Sequence, residues 1–425
     1  MIRRTVVIVL GFILTGGLVD SGSAQFGDRN IEVHGYLLGN YAGRTTGLSP
    51  AGGRFSDFML SEERLRLDIE TWSEAVEAAA RIRLDMFHDA LGRDFDIDLR
   101  EAYINYTAGP FDFTLGRQIV TWGVGDLIFI NDVFPKDWES FFLGRPLEYL
   151  KFGVDGLRMR LSSGLVNADI LAVPTFEPDN LPGSDRFFLF DPLAAISSRR
   201  EQLPGRTFEN TELAVRVYRY IWGFDVSGYA YKGFWRSPGM MTDDPAAPTE
   251  VMIFYPELFV YGFSAQGRAP GGVVSLEAGY YDSRDDSDGA DPSIPNSQVR
   301  FLIGYQRQMW EDFNAGVQYH AERMQDHETY TASLPGGFPE QSEYRDTVTL
   351  RLTQLLKHQT LKLSFFGFYS PADTDYLLQP SITYKFADSF STTIGGNIFG
   401  GKEETTFLGQ FEKNDNTYLS ALFTF

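Results

Sequence analysis

Hydrophobic and polar residues alternate one by one along many short segments of the chain. Residues 64–70 (RLRLDIE) and 80–86 (ARIRLDM) alternate strictly. The same period of two runs through 157–161, 348–352 and 361–365. Successive side chains of a β-strand point to opposite faces, so the pattern predicts strands with one apolar face and one polar face.

The chain as a whole holds eighteen candidate strands, and most have the roughly 9–11 residues that a tilted strand needs to cross a membrane. They are predicted at 30–41, 61–72, 75–87, 97–107, 110–119, 153–162, 165–173, 211–222, 223–235, 257–268, 271–281, 297–308, 311–322, 343–355, 358–369, 376–386, 389–398 and 415–425. Sixteen or twenty strands would also be compatible with the pattern.

Short and long connections follow one another regularly between these strands. Short turns are predicted at Ser73-Glu74, Ala108-Gly109, Ser163-Gly164, Gly223, Pro270-Gly271, Trp310, Lys357 and Asp388. Long loops are predicted at about 42–60, 88–96, 120–152, 174–210, 236–256, 282–296, 323–342, 370–375 and 399–414. A soluble β-sandwich also alternates, but an even strand number with this succession is typical of an all-β, transmembrane antiparallel β-barrel with short periplasmic turns and long extracellular loops.

The first residues have the pattern of an export signal. Arg3 and Arg4 precede an apolar run, and small residues follow at Gly22-Ser23-Ala24. Residues 1–24 are therefore predicted to be a cleaved signal peptide, with residues 25–425 forming a single barrel. A retained membrane anchor is the alternative for the first segment. No later stretch has the 18 apolar residues of a membrane-spanning helix.

Composition narrows the function classes. The 425 residues carry a formal net charge of −20, which argues against a nucleic-acid-binding protein. There is no Cys, which excludes disulfides, thiolate metal sites and a cysteine nucleophile. The 36 Phe, 21 Tyr and 6 Trp suit the aromatic girdles with which barrels meet the two membrane interfaces.

Two features resemble known proteins. Thr417, Leu419, Ala421, Phe423 and Phe425 share one face, and the chain resembles outer-membrane barrels in ending its last strand on Phe. Residues 99–106 (LREAYINY), 115–118 (LGRQ), 122–123 (WG) and 153–158 (GVDGLR) are similar to a segment of porin-superfamily proteins. This resemblance implies a passive pore in the outer membrane of a Gram-negative cell. It also implies a possible homo-trimer in contact with lipid and lipopolysaccharide, without indicating the solute.

A basic patch is predicted on the polar faces of the second and third strands. A two-residue turn at Ser73-Glu74 would place Arg66 opposite Arg81 and Arg64 opposite Arg83. Like charges directly opposite each other destabilise a sheet, so the four arginines are expected in a wet lumen. They would either be a solvated wall paired with acidic residues or an eyelet that attracts anions. A similar turn at Ser163-Gly164 would place Arg158 opposite Asp169.

The loop at 120–152 is the strongest candidate for an inward-folded constriction, because loops of this length are uncommon unless they are functional. Its aromatic residues, Trp122 and Trp138 among them, need burial. Asp126, Asp132, Asp137 and Glu139 are expected to approach the arginine wall, and Pro135 predicts a short helical turn after it. The alternatives are packing on the barrel rim or on a neighbouring subunit, and an aromatic slide for sugars or apolar solutes.

Other chemistry is less well supported. The acidic segment 282–291 lacks the ligand spacing of an EF-hand, so no metal or other cofactor is expected. Residues 262–266 (GFSAQ) miss the last glycine of a nucleophile elbow, and the protein is not expected to be an enzyme. A hydrolase site, or a barrel that encloses a partner protein, remains as an alternative to a pore for small polar or charged solutes.

Overall fold

The computed structural model describes residues 23–26, 29–46, 49–50, 58–73, 77–92, 94–244 and 247–425. Residues 1–22 of the predicted signal peptide, part of the first long loop and Glu74 of the first predicted turn lie outside the described residues. In the part of the chain that is described, no helix is long and apolar enough to cross a lipid bilayer.

The described strands follow one another along the chain with only short helices between them. They are β1 (Ser23–Phe26), β2 (Arg29–Arg44), β3 (Phe58–Ser73), β4 (Ala78–Asp89), β5 (Asp94–Ala108), β6 (Phe111–Ile119), β7 (Gly153–Leu161), β8 (Asn167–Val173), β9 (Ser198–Gln202), β10 (Glu212–Ile221), β11 (Phe224–Phe234), β12 (Gly239–Thr242), β13 (Glu250–Phe254), β14 (Glu257–Ala269), β15 (Gly272–Ser283), β16 (Gln298–Trp310), β17 (Phe313–Met324), β18 (Tyr344–Leu356), β19 (Leu361–Ser370), β20 (Asp375–Ala387), β21 (Phe390–Gly401) and β22 (Asn416–Thr424). The helices are α1 (Trp138–Phe142) and α2 (His327–Ser333).

Eighteen of these strands form one closed antiparallel barrel. Each barrel strand pairs with the next one along the chain, and the pairing of β2 with β22 closes the ring. Closure gives every barrel strand a hydrogen-bonded neighbour on both sides. The short strand β1 pairs with β2, and β9, β12 and β13 form a small separate sheet within two of the long loops.

The predicted closed antiparallel β-barrel and its eighteen predicted strands are confirmed. Every predicted boundary lies within about three residues of an observed one, because alternation along a strand is a local pattern that needs no knowledge of distant contacts. Both described chain ends and the short turns lie at one end of the barrel, here named the terminal end. The long connections lie at the other, here named the loop end.

The two faces of the barrel wall are chemically opposite. Large apolar side chains remain exposed on the outer face, among them Ile104 at 61 %, Leu115 at 63 % and Ile394 at 62 % of their surface. The alternate positions point inward, and there Glu62 and Arg64 are buried although they are charged. A wall that is apolar outside and polar inside has the reverse arrangement of a water-soluble protein.

The predicted register of the first hairpin is wrong. Arg66 lies opposite Asp85, not Arg81, which is a displacement of four residues along β4. The connection between Ser73 and Ala78 is longer than a two-residue turn, and the shift brings acidic residues opposite the arginines. Because the displacement is even, the inward face stays the same while the repulsion between like charges is removed.

The register of the hairpin between β7 and β8 also differs from the prediction. Asp169 lies opposite Arg160 instead of Arg158. The expected ion pair nevertheless forms diagonally, with Arg158 Nε donating to Asp169 Oδ1 at 2.8 Å. The long Arg158 side chain reaches diagonally across to Asp169. The predicted ion pair is therefore present although the predicted register is displaced by two residues.

Candidate functional site

The loop between β6 and β7, residues 120–152, contacts the barrel wall on opposite sides. It hydrogen-bonds Glu277 on β15 and Arg351 on β18, and on the far side it bonds Arg66 on β3 and Asn397 on β21. A segment that touches opposite walls of a closed cylinder crosses its interior. This segment is named the crossing loop below.

Glu277 fastens the first half of the crossing loop to β15. Its carboxylate accepts hydrogen bonds from the backbone N–H groups of Val124 at 2.8 Å, Gly125 at 3.0 Å and Asn131 at 2.8 Å. Asn131 Nδ2 adds a fourth bond at 3.0 Å. Hydrogen bonds to an ionised group are among the stronger ones, so four on one buried carboxylate form a firm anchor.

Two glycines leave room for this anchor in the wall. Gly262 on β14 and Gly279 on β15 lie directly opposite each other. A Cβ atom on Gly262 would lie 1.6 Å from Asn131 Oδ1, and one on Gly279 would lie 2.7 Å from Ile130 Cγ2. The missing side chains thus create a hollow that receives residues 130–131.

A second anchor lies on β17 and β18. Arg351 donates from both Nε and Nη2 to the Asp126 carboxylate, the latter at 2.7 Å. Gln318 accepts from the Asp126 backbone N–H at 2.7 Å and donates to its carbonyl at 2.9 Å. The side chains of Asp126 and Arg351 stay 44 % and 33 % exposed, so this ion pair faces the open part of the lumen.

The predicted helical turn after Pro135 is confirmed as α1. Asp137 caps its N-terminus, with Oδ1 accepting from the Ser140 backbone N–H at 2.8 Å. At the other end, the Phe142 carbonyl accepts from Asn397 Nδ2 at 2.9 Å. The helix therefore lies against β21, six strands around the ring from Glu277 on β15.

Aromatic residues of the crossing loop divide between two apolar clusters. Trp122 is buried against Phe134 and Tyr229 beside β11. Trp138 contacts Phe129 and Phe142 in the second cluster, which lies against β2, β3 and β20–β22. Burial of large rings on both sides holds the loop across the barrel.

The four acidic residues of the loop do not reach the predicted arginine wall. Asp126 pairs with Arg351, Asp137 caps α1, and Asp132 accepts from the loop's own Lys136 at 3.0 Å. Glu139 accepts from the Gly183 backbone N–H at 3.2 Å. The expectation that these carboxylates oppose the arginines is thus wrong. Each of them instead accepts hydrogen bonds from cations or N–H groups that lie nearer.

Burial affects the charged residues inside the loop. Lys136 is enclosed with Asp132, and this burial lowers the pKa of the Lys136 ammonium. Lys151 gives Asp132 a second cation, with Nζ at 2.7 Å. Burial likewise raises the pKa of the Glu139 carboxyl. These groups therefore tie the loop together and do not line an open passage.

Arg64 and Arg66 of the predicted basic patch are almost completely buried, at 5 % and 4 % exposure. Arg66 donates two hydrogen bonds to Asp85, at 2.6 and 2.8 Å. Arg64 bonds both Asp85 and Glu62, each at 2.9 Å. The two arginines are thus neutralised by acidic neighbours on their own hairpin.

Arg81 and Arg83 lie nearer the terminal end and are more open. Both donate to Asp68, Arg81 at 2.7 and 3.0 Å and Arg83 at 2.9 and 3.1 Å. Arg83 also pairs with Glu101 at 3.0 Å. The four arginines do occupy one stretch of wall, but each has at least one carboxylate partner.

The carboxylate that reaches the arginine wall from the loop is Glu148, which the sequence analysis did not single out. It pairs with Arg66 and accepts from the Tyr36 hydroxyl at 2.8 Å. The ring of Tyr149 lies 4.4 Å from the Arg64 guanidinium and 5.0 Å from that of Arg66. The signal for this contact that the sequence offered is the pair Glu148-Tyr149, which follows the aromatic residues of the loop.

An open cavity of about 570 Å³ lies below this contact at the terminal end. Its lining includes His34, Tyr36, Arg66, Arg83 and Glu148. Both signs of charge therefore face the same water-accessible space. Across the described residues, no group of three or more His, Asp or Glu side chains is arranged to hold a metal ion.

The chain aligns with solved structures along most of its length. OccK11 (OpdR) of Pseudomonas aeruginosa aligns with a TM-score of 0.54 and 8 % identity over 93 % of this chain and 95 % of its own. OmpF of Salmonella typhi aligns with a TM-score of 0.46 and 11 % identity over 95 % and 100 %. Neither a protein-family model nor a curated protein matches the chain. The similarity to OccK11 thus shows a shared barrel fold.

Proposed function

We propose that this protein is an outer-membrane channel for passive diffusion of small polar or charged solutes, with residues 120–152 as its constriction. The observation that carries the proposal is one loop crossing the interior of a closed barrel whose outer face is apolar. A lipid-facing wall needs apolar side chains and strands that pair on both sides, and this barrel has both.

The crossing loop supports a narrowed pore. Its two anchors and two aromatic clusters fix it across the lumen, leaving less room for solutes than a bare barrel. Asp126 and Arg351 lie beside the open part of the lumen, and Arg81 and Arg83 line it farther toward the terminal end. Paired charges of both signs favour water and polar solutes over apolar ones.

The filled interior favours this function over a sheath for a partner protein. A sheath would leave its lumen free for the partner, whereas here the protein's own loop joins opposite walls. We infer in addition that residues 1–24 direct export, and that the exposed apolar belt contacts outer-membrane lipid and lipopolysaccharide. The expected homo-trimer belongs to the same proposal, and cross-linking of the purified protein tests it.

Planar-bilayer recording of the purified protein tests the proposed channel. We expect stepwise conductance and a reversal potential in a salt gradient. Liposome swelling with neutral sugars and with small carboxylates measures the size limit and the effect of charge. A protein that inserts, as judged by protease protection, and yet gives no conductance would contradict the proposal.

A further inference from the structure

Three arginines on neighbouring barrel strands surround a single aspartate. Asp169 on β8 lies directly opposite Arg160 on β7 and directly opposite Arg216 on β10. Arg158 on β7 donates to both Asp169 oxygens, at 2.8 and 2.5 Å. All four side chains are on the inward-facing positions of their strands, so this stretch of wall, named the β7–β10 patch, faces the lumen.

Acidic partners at the β7–β10 patch are fewer than the arginines. Arg158 occupies the Asp169 carboxylate. Arg160 comes no closer than 3.8 Å to Asp112, its ion-pair partner, and its buried Nε has no hydrogen-bond partner among the described residues. Three cations thus face two carboxylates, and one of the two lies at the limit of contact.

Arg216 is the least satisfied member of the patch. Its Nε and Nη2 both donate to the Ser227 hydroxyl at 3.1 Å, and within the described residues it forms no ion pair. A hydroxyl is neutral, and the Asp169 carboxylate opposite Arg216 bonds Arg158 instead, so the Arg216 guanidinium charge is only weakly compensated. The rings of Tyr218 and Tyr229 lie 4.5 and 5.8 Å from the guanidinium carbon and help to hold its orientation.

The patch adjoins the crossing loop. Trp122, just after β6, donates from Nε1 to Asp169 Oδ2 at 3.3 Å and packs on Tyr229, with ring centroids 5.9 Å apart. The same tyrosine contacts Arg216. A solute that passes the constriction beside this wall therefore meets the weakly compensated arginine next.

We propose that the β7–β10 patch is a subsite for small oxyanions that carry a carboxylate or phosphate group, with Arg216 and Arg160 as the binding residues. This inference rests on the proposed channel function and specifies its solute charge. A guanidinium presents N–H donors in a planar fork that matches these anions. The small excess of positive charge suits passage, because a transported anion must also leave.

The patch differs from the arginines predicted from the sequence. Arg66 and Arg81 are enclosed by carboxylates, whereas Arg216 has a hydroxyl partner instead. Substitutions in the two sets of arginines are therefore expected to have different effects. Neutralising Arg216 should remove an anion contact, while neutralising the buried Arg66 should mainly disturb the wall.

Arg216→Gln and Arg160→Gln test the subsite, with Arg219→Gln as the matched control. Arg219 lies on the same strand but on its outward-facing side, so its loss changes net charge equally without touching the lumen. In planar bilayers we expect inorganic phosphate to reduce the chloride current of the wild type. The concentration for half block should rise roughly two- to fivefold in each inward variant, as for one solvent-accessible charge contact.

Acetate added in parallel shows whether the patch accepts carboxylates as well as phosphate. Calorimetric titration of phosphate into the detergent-solubilised protein measures binding without requiring current. If the wild type conducts but Arg216→Gln and Arg160→Gln bind and block like Arg219→Gln, the subsite is refuted and the channel stands. If the wild type binds phosphate but does not conduct, the channel function fails and the subsite stands.

Discussion

Glu277 on the barrel wall and Asn131 in the crossing loop are joined by two hydrogen bonds. The carboxylate accepts from both the backbone N–H and the side-chain amide of Asn131, at 2.8 and 3.0 Å. The two residues lie 146 positions apart in the chain. An inward-facing acid of β15 therefore fixes the position of a loop that begins after β6.

Glu277→Gln should loosen the crossing loop. The glutamine amide has one acceptor oxygen, and its NH₂ group would face backbone donors that now bond the carboxylate. Loss of such buried bonds costs about 1–3 kcal/mol. We expect larger and noisier single-channel currents, with Glu311→Gln in an exposed turn as the control. Currents identical to the wild type would show that Glu277 does not set the pore.

Gly262→Ala should displace the loop by steric means. The new Cβ would lie 1.6 Å from Asn131 Oδ1, which is far too short for a non-bonded contact, so Asn131 must move. Gly228→Ala on the adjacent strand β11 is the matched control, because nothing lies within 4 Å of its Cβ position. We expect altered conductance in Gly262→Ala alone, measured in planar bilayers. Equal changes in both variants would argue against the hollow.

Asp126→Asn and Arg351→Gln should shift ion selectivity in opposite directions. Each change removes one partner of an ion pair that is exposed to the lumen. Loss of the carboxylate leaves a free cation and favours anions, whereas loss of the guanidinium favours cations. Reversal potentials in a potassium chloride gradient measure both. The double variant should return toward the wild-type value, and a shift of the same sign in both single variants would contradict the assignment.

Arg66→Ala should lower the free energy of unfolding more than it changes ion selectivity. Asp85 and Glu62 are buried beside this arginine, and removing one partner of such a network costs about 3–5 kcal/mol. Denaturant unfolding followed by tryptophan fluorescence measures the loss, with Arg206→Ala in an exposed loop as the control. Arg81→Ala, at a more open position, should instead reduce anion permeability modestly. An unchanged unfolding midpoint in Arg66→Ala would count against the buried network.

The barrel could be predicted from the sequence, but its lumen contacts could not. Strand positions follow from alternation within about ten residues, and the even shift at β3–β4 left every side chain on its predicted face. Register depends on the exact turn, and the two-residue connection assumed at Ser73-Glu74 placed Arg66 opposite the wrong partner.

Glu277 and Arg216 illustrate why the site was harder to predict. Each looks in sequence like one of many inward polar residues on a barrel strand. Their roles come from what lies near them in space, which is Asn131 for Glu277 and a serine instead of a carboxylate for Arg216. Such contacts join residues brought together only by closure of the sheet.

The crossing loop contacts residues that come much later in the chain, and these contacts set the order in which parts of the molecule fold. Asp126 bonds Arg351, 225 residues later, and Phe142 accepts from Asn397, 255 residues later. Neither contact can form until β18 and β21 have joined the sheet, because the wall that carries the partner does not yet exist. The cylinder must therefore be nearly complete before its interior is narrowed. The lumen therefore reaches its final, narrowed form only in the last steps of folding.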